Sequence, residues 1–200
     1  APDEPRRDFN SPEMSWLRKA MLRTLKALDP LPATLLDSHS NILMVNRGFV
    51  SLFTQQVPEE VLPLLDNNFD FVFANADESE NSGRADMLSA ILMASQQAAL
   101  FSNKAEDQYH IDEMEKHPAV PKDWKQRAAK MEPMASFRVQ LSVNDQEENF
   151  FNVSTTVGAL GPAAFLSEPR LTINILYPED ETLDLSSVMR DDARHPLLFY

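Results

Sequence analysis

Histidine is the side chain that most often binds metal ions or moves protons near neutral pH, and this chain has four. The four are far apart in the sequence and show none of the spacings typical of metal ligands, such as HExxH. An isolated histidine is more often structural or solvent-facing, so the sequence predicts no metal site. The four residues are His39, His110, His117 and His195.

Serine, glycine and carboxylate patterns give no better support for catalysis. No serine stands in a GxSxG nucleophile motif, and Gly158 and Gly161 lead to Pro162 rather than to a helix that could hold phosphate. The acidic residues cluster in polar stretches such as 144–149, where water is the expected partner. We therefore expect no enzyme and no cofactor, and catalysis in an apolar cavity ranks last among the alternatives.

The overall charge argues against direct binding of nucleic acids. The chain of 200 residues has 31 acidic and 18 basic side chains, a formal charge of −13, so its field repels the phosphates of nucleic acids. It has no cysteine, which excludes disulfides and is consistent with a reducing compartment. No apolar run approaches the roughly 20 residues needed to span a bilayer. We expect a cytoplasmic protein that binds neither DNA by itself nor a membrane.

Apolar spacing near the N-terminus predicts a helix followed by a hairpin. Apolar residues recur at helical spacing from Met14 to Leu28, with Ser11 before them as a cap residue. This helix would pack one face on the body of the domain, and a role in dimerisation is the alternative. Two short apolar runs, 33–37 and 41–45, then flank a polar turn and predict two paired strands.

Helices are expected to fill the middle of the chain. Asn46 is predicted to cap a helix that carries Phe49 and Phe53, because asparagine is favoured at that position. Further helices are predicted over residues 83–103 and 121–131.

From Ser136 onward the apolar period changes from 3.6 to 2, which is typical of strands. Alternating runs beginning at Phe137, Phe151 and Leu171 predict three further strands, the last of which Pro178 stops. Two strands, a helical insert and three strands predict an α+β fold with a five-stranded, mostly antiparallel sheet. Strands from both ends of the chain must then meet in one sheet.

The apolar side chains of this sheet and its helices could fill a core or line an elongated pocket. A core is the default for each of them, since buried apolar residues need no other explanation. The pocket candidates are Leu36, Phe53, Phe71, Phe73, Met87, Ile91, Phe101, Trp124, Phe137, Val139, Val153 and Ile173.

Both ends of the chain resemble one protein family. Residues 9–46, FNSPEMSWLRKAMLRTLKALDPLPATLLDSHSNILMVN, are similar to the start of the MmyB-like ligand-binding domain of XRE-type helix-turn-helix transcription regulators. Residues 150–183, FFNVSTTVGALGPAAFLSEPRLTINILYPEDETL, are similar to its closing strands. The matching positions are Pro30, Pro32, Ala33, Asp37 and Asn46, then Thr155, Thr156, Gly158, Arg170, Leu171, Tyr177, Pro178 and Asp180.

The resemblance implies a PAS-like domain at 11–187, between a tail at 1–10 and another at 188–200. It also implies an effector-sensing domain that binds a small apolar or fatty-acid-like ligand and contacts DNA only through a helix-turn-helix domain absent from this chain. We further expect a homodimer. The alternative is an interaction module with a filled core and no ligand. A ligand carboxylate would need a buried cation or hydroxyl. The anchor candidates are Arg84, His110, Arg127 and Arg138.

Overall fold

The computed structural model describes residues 9–37, 40–65, 67, 85–86, 88–93, 95–96, 105–118, 120–131, 138–157 and 171–200. The chain forms two compact units. The first combines residues 1–68 with residues 140–200, and the second spans residues 69–139.

A five-stranded sheet with the order β2-β1-β5-β4-β3 is the centre of the first unit. Its pairings β1 to β2, β1 to β5 and β4 to β5 are antiparallel, so the last strand of the sequence lies in the middle of the sheet. The strands are β1 (Ala33–Leu36), β2 (Ile42–Val45), β3 (Arg138–Val143), β4 (Gln146–Val157) and β5 (Leu171–Pro178). The predicted α+β fold, with its PAS-like sheet and N-terminal helix, is confirmed.

Helix α1 (Ser15–Leu28) begins after a single 3-10 turn, Pro12–Met14. The prediction that the Ser11 hydroxyl caps this helix was wrong, because that side chain makes no capping hydrogen bond. Instead, the Ser11 carbonyl accepts hydrogen bonds from the Met14 amide at 3.1 Å and the Arg18 guanidinium at 2.7 Å. Two carbonyl contacts thus order this turn without the hydroxyl.

One face of the sheet packs against α1 and is apolar; we call it the α1 face. Leu25 of the helix and Leu35 of β1 are fully buried in this cluster, together with Ile173 of β5. Burying a large aliphatic side chain stabilises a fold by about 1.5–3 kcal/mol, so this cluster contributes substantially to the stability of the first unit. Its other buried members are Phe9, Met21, Ala33, Met44, Leu171 and Ile175.

Helix α2 (Arg47–Phe53) follows β2 directly, and Asn46 caps it as predicted. The Asn46 side chain accepts a hydrogen bond from the Phe49 amide at 2.9 Å. Gly48 lies against the preceding loop, where a Cβ atom would approach the Pro30 carbonyl oxygen to 2.4 Å. Only glycine allows this close approach of helix and loop.

The second unit contains a separate apolar cluster built from short helices. Residues 85–86, 88–93 and 95–96 are helical, within the predicted 83–103 helix, and the predicted 121–131 helix is present as α4 (Trp124–Lys130). Helix α3 (Ala105–Glu115) was not predicted. The cluster consists of Leu92, Ile111, Met114, Val120 and Trp124.

The C-terminal segment, residues 185–200, packs along α2 and the edge strand β2. The Leu197 carbonyl accepts a hydrogen bond from the Val45 amide at 3.0 Å, and the Arg190 amide donates to the Ser51 hydroxyl at 3.0 Å. The sequence left open whether the last residues dock on the body of the domain or on a neighbour. These contacts show docking on the first unit.

Candidate ligand-binding face

The face of the sheet opposite the α1 face carries a set of short polar side chains, which we call the polar strip. The strand register brings Thr34, Asn174 and Ser154 into one row across β1, β5 and β4, and directly opposite residues share a face. The next row pairs Thr172 with Thr156, and Asn152 lies one row to the other side. The polar strip consists of Thr34, Asn152, Ser154, Thr156, Thr172 and Asn174.

Apolar side chains border the polar strip on the same face. Leu36 is buried and pairs in register with Thr172, and Phe150 is fully buried two residues before Asn152. Leu176 lies opposite Asn152 and is half-buried. The face therefore offers hydrogen-bonding groups within an apolar border, the combination typical of small-molecule sites.

Hydrogen bonding within the polar strip is incomplete. The Ser154 hydroxyl donates to the Asn174 amide oxygen at 2.6 Å. The Asn152 amide oxygen is buried and has no hydrogen-bond partner. Such a group costs about 1–3 kcal/mol when left unsatisfied, and buried unpaired atoms in folded proteins call for an explanation. A bound molecule that donates a hydrogen bond would remove this cost.

A second polar constellation joins the C-terminal segment to α2. The Tyr200 hydroxyl donates to the Asp29 carboxylate at 2.6 Å and accepts a hydrogen bond from the Arg47 amide at 3.1 Å. The other Asp29 oxygen accepts from the Gly48 amide at 2.8 Å. Burial, and then the hydrogen bond to Asp29, raise the pKa of Tyr200 above its ordinary value. These groups satisfy one another, so they stabilise the fold rather than await a ligand.

His195 lies in the same segment and is buried. Burial lowers the pKa of its imidazole below the ordinary value, and the Leu62 carbonyl raises that pKa by a smaller amount. The Leu197 amide donates to its Nδ1 atom at 3.1 Å. It borders a surface groove of about 500 Å³ that Glu59, Arg194 and Tyr200 also line. The chain itself occupies Nδ1, whereas Nε2 is buried and has no hydrogen-bond partner.

Comparison with known protein families identifies the kind of domain. Residues 17–155 match the MmyB-like transcription regulator ligand binding domain, and this is well over half of the chain. The chain belongs to this family. No curated protein matches it. An MmyB-like domain is a ligand-binding part of a transcription regulator rather than an enzyme, so a binding surface is the feature to seek.

The family match covers β1 to β3 and most of β4, including Asn152 and Ser154 of the polar strip. It ends before β5 and the C-terminal segment. Among the described residues, no group of acidic or histidine side chains could hold a metal ion, and no helix could cross a membrane. We take the polar strip as the candidate ligand-binding surface of this MmyB-like domain.

The structure distributes the predicted pocket residues over several places. Leu36 borders the polar strip, whereas Ile173 and Val153 lie on the α1 face, where Val153 is 43% exposed. Phe53 is buried in α2 and stacks on Phe49 with ring centroids 4.3 Å apart. In the second unit, Ile91 packs with Trp124, and Val139 is half-buried on β3. Phe71, Phe73, Met87, Phe101 and Phe137 lie outside the described residues.

The predicted anchor residues differ in what the structure shows. Arg127 forms ion pairs with Asp123 at 2.9 Å and Asp86 at 3.3 Å within the second unit. These carboxylates already occupy its guanidinium. Arg138 is the exposed first residue of β3. Arg84 and the side chain of His110 lie outside the part of the chain that the structure describes.

Sequence reasoning missed the polar strip, although a signal for it was present. Asn174 and Thr172 alternate with Leu171, Ile173 and Ile175, and we interpreted this alternation only as a strand. In the observed sheet β5 has a neighbour on each side and is central. An asparagine in the middle of a central strand is unusual enough to indicate a polar surface with a function.

Proposed function

We propose that this MmyB-like domain senses an effector by binding a small apolar or fatty-acid-like molecule on the polar strip and its apolar border. The observation that supports this proposal best is the buried, unpartnered amide oxygen of Asn152. Asn152 pairs in register with Leu176 and follows the buried Phe150 by two residues, so a molecule with an apolar body and one polar end would find matching groups there.

Regulation would work by a shift in populations. A ligand that prefers one packing of the domain raises the fraction of molecules in that state, and this changes the geometry of an attached helix-turn-helix domain. DNA contact belongs to that separate domain, because the charge of −13 repels phosphate. A cytoplasmic location is part of the same proposal.

Native mass spectrometry of protein purified from cells tests ligand binding directly. We expect a co-purified mass of the size of a lipid, and a higher melting temperature after addition of a fatty acid. Ser154→Trp should abolish both effects, because a bulky side chain would cover the polar strip at an exposed position. Thr155→Trp is the matched control, since Thr155 is exposed on the other face of the same strand.

A clean apo mass together with no thermal shift would contradict ligand sensing. That result would favour the alternative, an interaction module with a filled core. Equal loss of the ligand in Ser154→Trp and Thr155→Trp would instead show that the ligand binds elsewhere.

We also propose that the domain forms a homodimer through the outer side of α1. Trp16 in the first turn of this helix is 60% exposed, and tryptophan is enriched in the energetically important centres of interfaces. Sedimentation equilibrium should show a dimer that Trp16→Glu weakens. Lys122→Glu, which changes an exposed residue outside α1, should leave the dimer unchanged. A monomer at all concentrations would rule out this part of the proposal.

A further inference from the structure

We infer that the outer side of α1 binds a second copy of this chain through opposite charges, and that the surface it meets is the acidic segment that follows β5. This inference deepens the proposed dimer and rests on it, because it names the two surfaces that touch. Charge, exposure and ion pairing in these two segments support it.

The outer side of α1 is basic in a strongly acidic chain. The 14 residues of the helix include four basic side chains and no acidic one, whereas the formal charge of the whole chain is −13. Trp16, Lys19, Arg23 and Lys26 are exposed and follow one another at intervals of three, four and three residues. This spacing places side chains on one face of a helix. We call these four residues the basic stripe.

The cations of the basic stripe are available to a partner. Within the described residues, neither Lys19 nor Arg23 forms an ion pair. The Lys26 ammonium lies 5.3 Å from the centre of the Tyr200 ring and stays exposed. Arg18 is the exception among the four basic residues of α1, since it is half-buried and donates to the Ser11 carbonyl at 2.7 Å. It therefore does not belong to the basic stripe.

Residues 179–184, which we call the acidic segment, have the opposite charge. No Lys or Arg occurs anywhere in residues 171–189. Asp180, Glu181 and Asp184 are exposed, and none of them forms an ion pair with a described residue. Asp180 accepts a hydrogen bond from the Thr182 amide at 2.8 Å, which orders the backbone and leaves the charge exposed. The acids of the segment are Glu179, Asp180, Glu181 and Asp184.

The positions of the two surfaces allow two copies to exchange them. The Leu176 amide donates to the Pro32 carbonyl at 3.0 Å, so the acidic segment begins close to the loop that follows α1. In a two-fold dimer with antiparallel α1 helices, the N-terminal half of each basic stripe then lies towards the acidic segment of the other copy. Contact between the two basic stripes alone would oppose like charges, which is unfavourable. Opposite charges also offset the long-range repulsion between two chains of −13 each.

Sedimentation equilibrium with charge-reversal variants, in about 150 mM NaCl, tests the inference. Arg23→Glu and Glu181→Lys should each raise the dissociation constant of the dimer about ten-fold, because each change acts at both symmetric contacts. The double variant Arg23→Glu/Glu181→Lys should dimerise more tightly than either single variant, since the reversed surfaces attract again. The original dimer should also weaken as NaCl is raised to about 0.5 M.

Two controls carry the same changes in net charge at exposed positions elsewhere. Lys122→Glu matches Arg23→Glu, and Glu60→Lys matches Glu181→Lys. Both controls should leave the dissociation constant within about two-fold of the original value. Equal effects of Arg23→Glu and Lys122→Glu, or a double variant no tighter than the single ones, would overturn the inference while leaving the dimer in place. A monomer at all concentrations of the original protein would overturn the proposed dimer, and this inference with it.

Discussion

Asn46 and Asn152, two asparagines of the first unit, differ in how their amide groups are used. Asn46, at the end of β2, has no exposed surface and uses its whole amide group. Its oxygen accepts from the Ala33 and Phe49 amides, and its nitrogen donates to the Leu25 and Leu31 carbonyls, all within 3.3 Å. Asn152, on β4, buries an amide oxygen that has no partner.

This difference in hydrogen bonding indicates different roles for the two asparagines. Asn46 joins α1, the loop after it, β1 and α2 at one point, so its four hydrogen bonds hold together elements that are distant in sequence. The side-chain oxygen of Asn152 has no hydrogen-bond partner, which is a cost to the unliganded fold. We interpret Asn46 as a structural residue and Asn152 as a residue available to a ligand.

The largest expected effect of a single change follows from this contrast. Asn46→Ala should lower the free energy of unfolding by about 4 kcal/mol, because four hydrogen bonds of about 1 kcal/mol each are lost. Asn152→Leu should change it by less than about 1 kcal/mol or raise it, since an unpaired buried acceptor is replaced by an apolar group. Urea denaturation measures both.

Similar losses of unfolding free energy in Asn46→Ala and Asn152→Leu would contradict this contrast, because Asn152 would then be a structural residue as well. Asn144→Ala, at an exposed turn position with a positive φ of 50°, is a useful third variant. Any loss there would reflect backbone conformation rather than a buried amide.

The α1 face should respond to truncation more strongly than the polar strip. Leu35→Ala should lower the free energy of unfolding by about 3 kcal/mol, because Leu35 is fully buried against α1. Ser154→Ala, at an exposed position of the polar strip, should change it by less than about 1 kcal/mol. Thermal denaturation with both variants side by side would show equal shifts if the two faces were equally important for stability.

The fold was predictable from the sequence because its signals are local. Alternating apolar residues marked the strands, and Asn46 stood in the right place for a helix cap. The three other hydrogen bonds of Asn46 reach Leu25, Leu31 and Ala33, and no local pattern predicts contacts over such separations. Helix α3 was missed because few apolar residues, chiefly Ile111 and Met114, interrupt its polar sequence.

The candidate site was less predictable than the fold. The unpartnered oxygen of Asn152 becomes visible only when strand order and burial are known, since an asparagine in an alternating strand ordinarily indicates a solvent-facing side. The contact of Tyr200 with Asp29 spans 171 residues and depends on tertiary packing alone. The predicted pocket residues were chosen by apolarity, which does not distinguish the two faces of a sheet.

Like Asn46, and unlike Asn152, the C-terminal segment should contribute to the free energy of unfolding. Tyr200→Phe removes the hydroxyl that contacts Asp29 and Arg47, so we expect the free energy of unfolding to fall by about 1–2 kcal/mol. Tyr177→Phe, an exposed change on β5, is the control. Urea denaturation should show no difference between the two variants if the C-terminal segment is not part of the folded unit.

The smallest expected effect is a dependence of stability on pH. Burial lowers the pKa of His195 in the folded state, so as pH falls below about 6.5 the unfolded chain takes up this proton first. The stability that the neutral His195 ring contributes is present above the pKa of this residue in the unfolded chain. It is lost as pH falls through the lower pKa of His195 in the folded state. His195→Asn keeps an acceptor for the Leu197 amide and removes the titrating ring.

Denaturation midpoints at pH 7.5, 6.5 and 5.5 should therefore decline less steeply in His195→Asn than in the original protein. Identical slopes in the two proteins would mean that the C-terminal segment does not bury this imidazole in solution.

The central claim is that Asn152 is available to a ligand and Asn46 is not, and side-chain amide resonances measure this directly. In a ¹⁵N-labelled sample, addition of a fatty acid such as decanoate should shift the side-chain NH₂ signals of Asn152 and Asn174 and leave that of Asn46 in place. Binding that shifts neither the Asn152 nor the Asn174 signal would contradict the account.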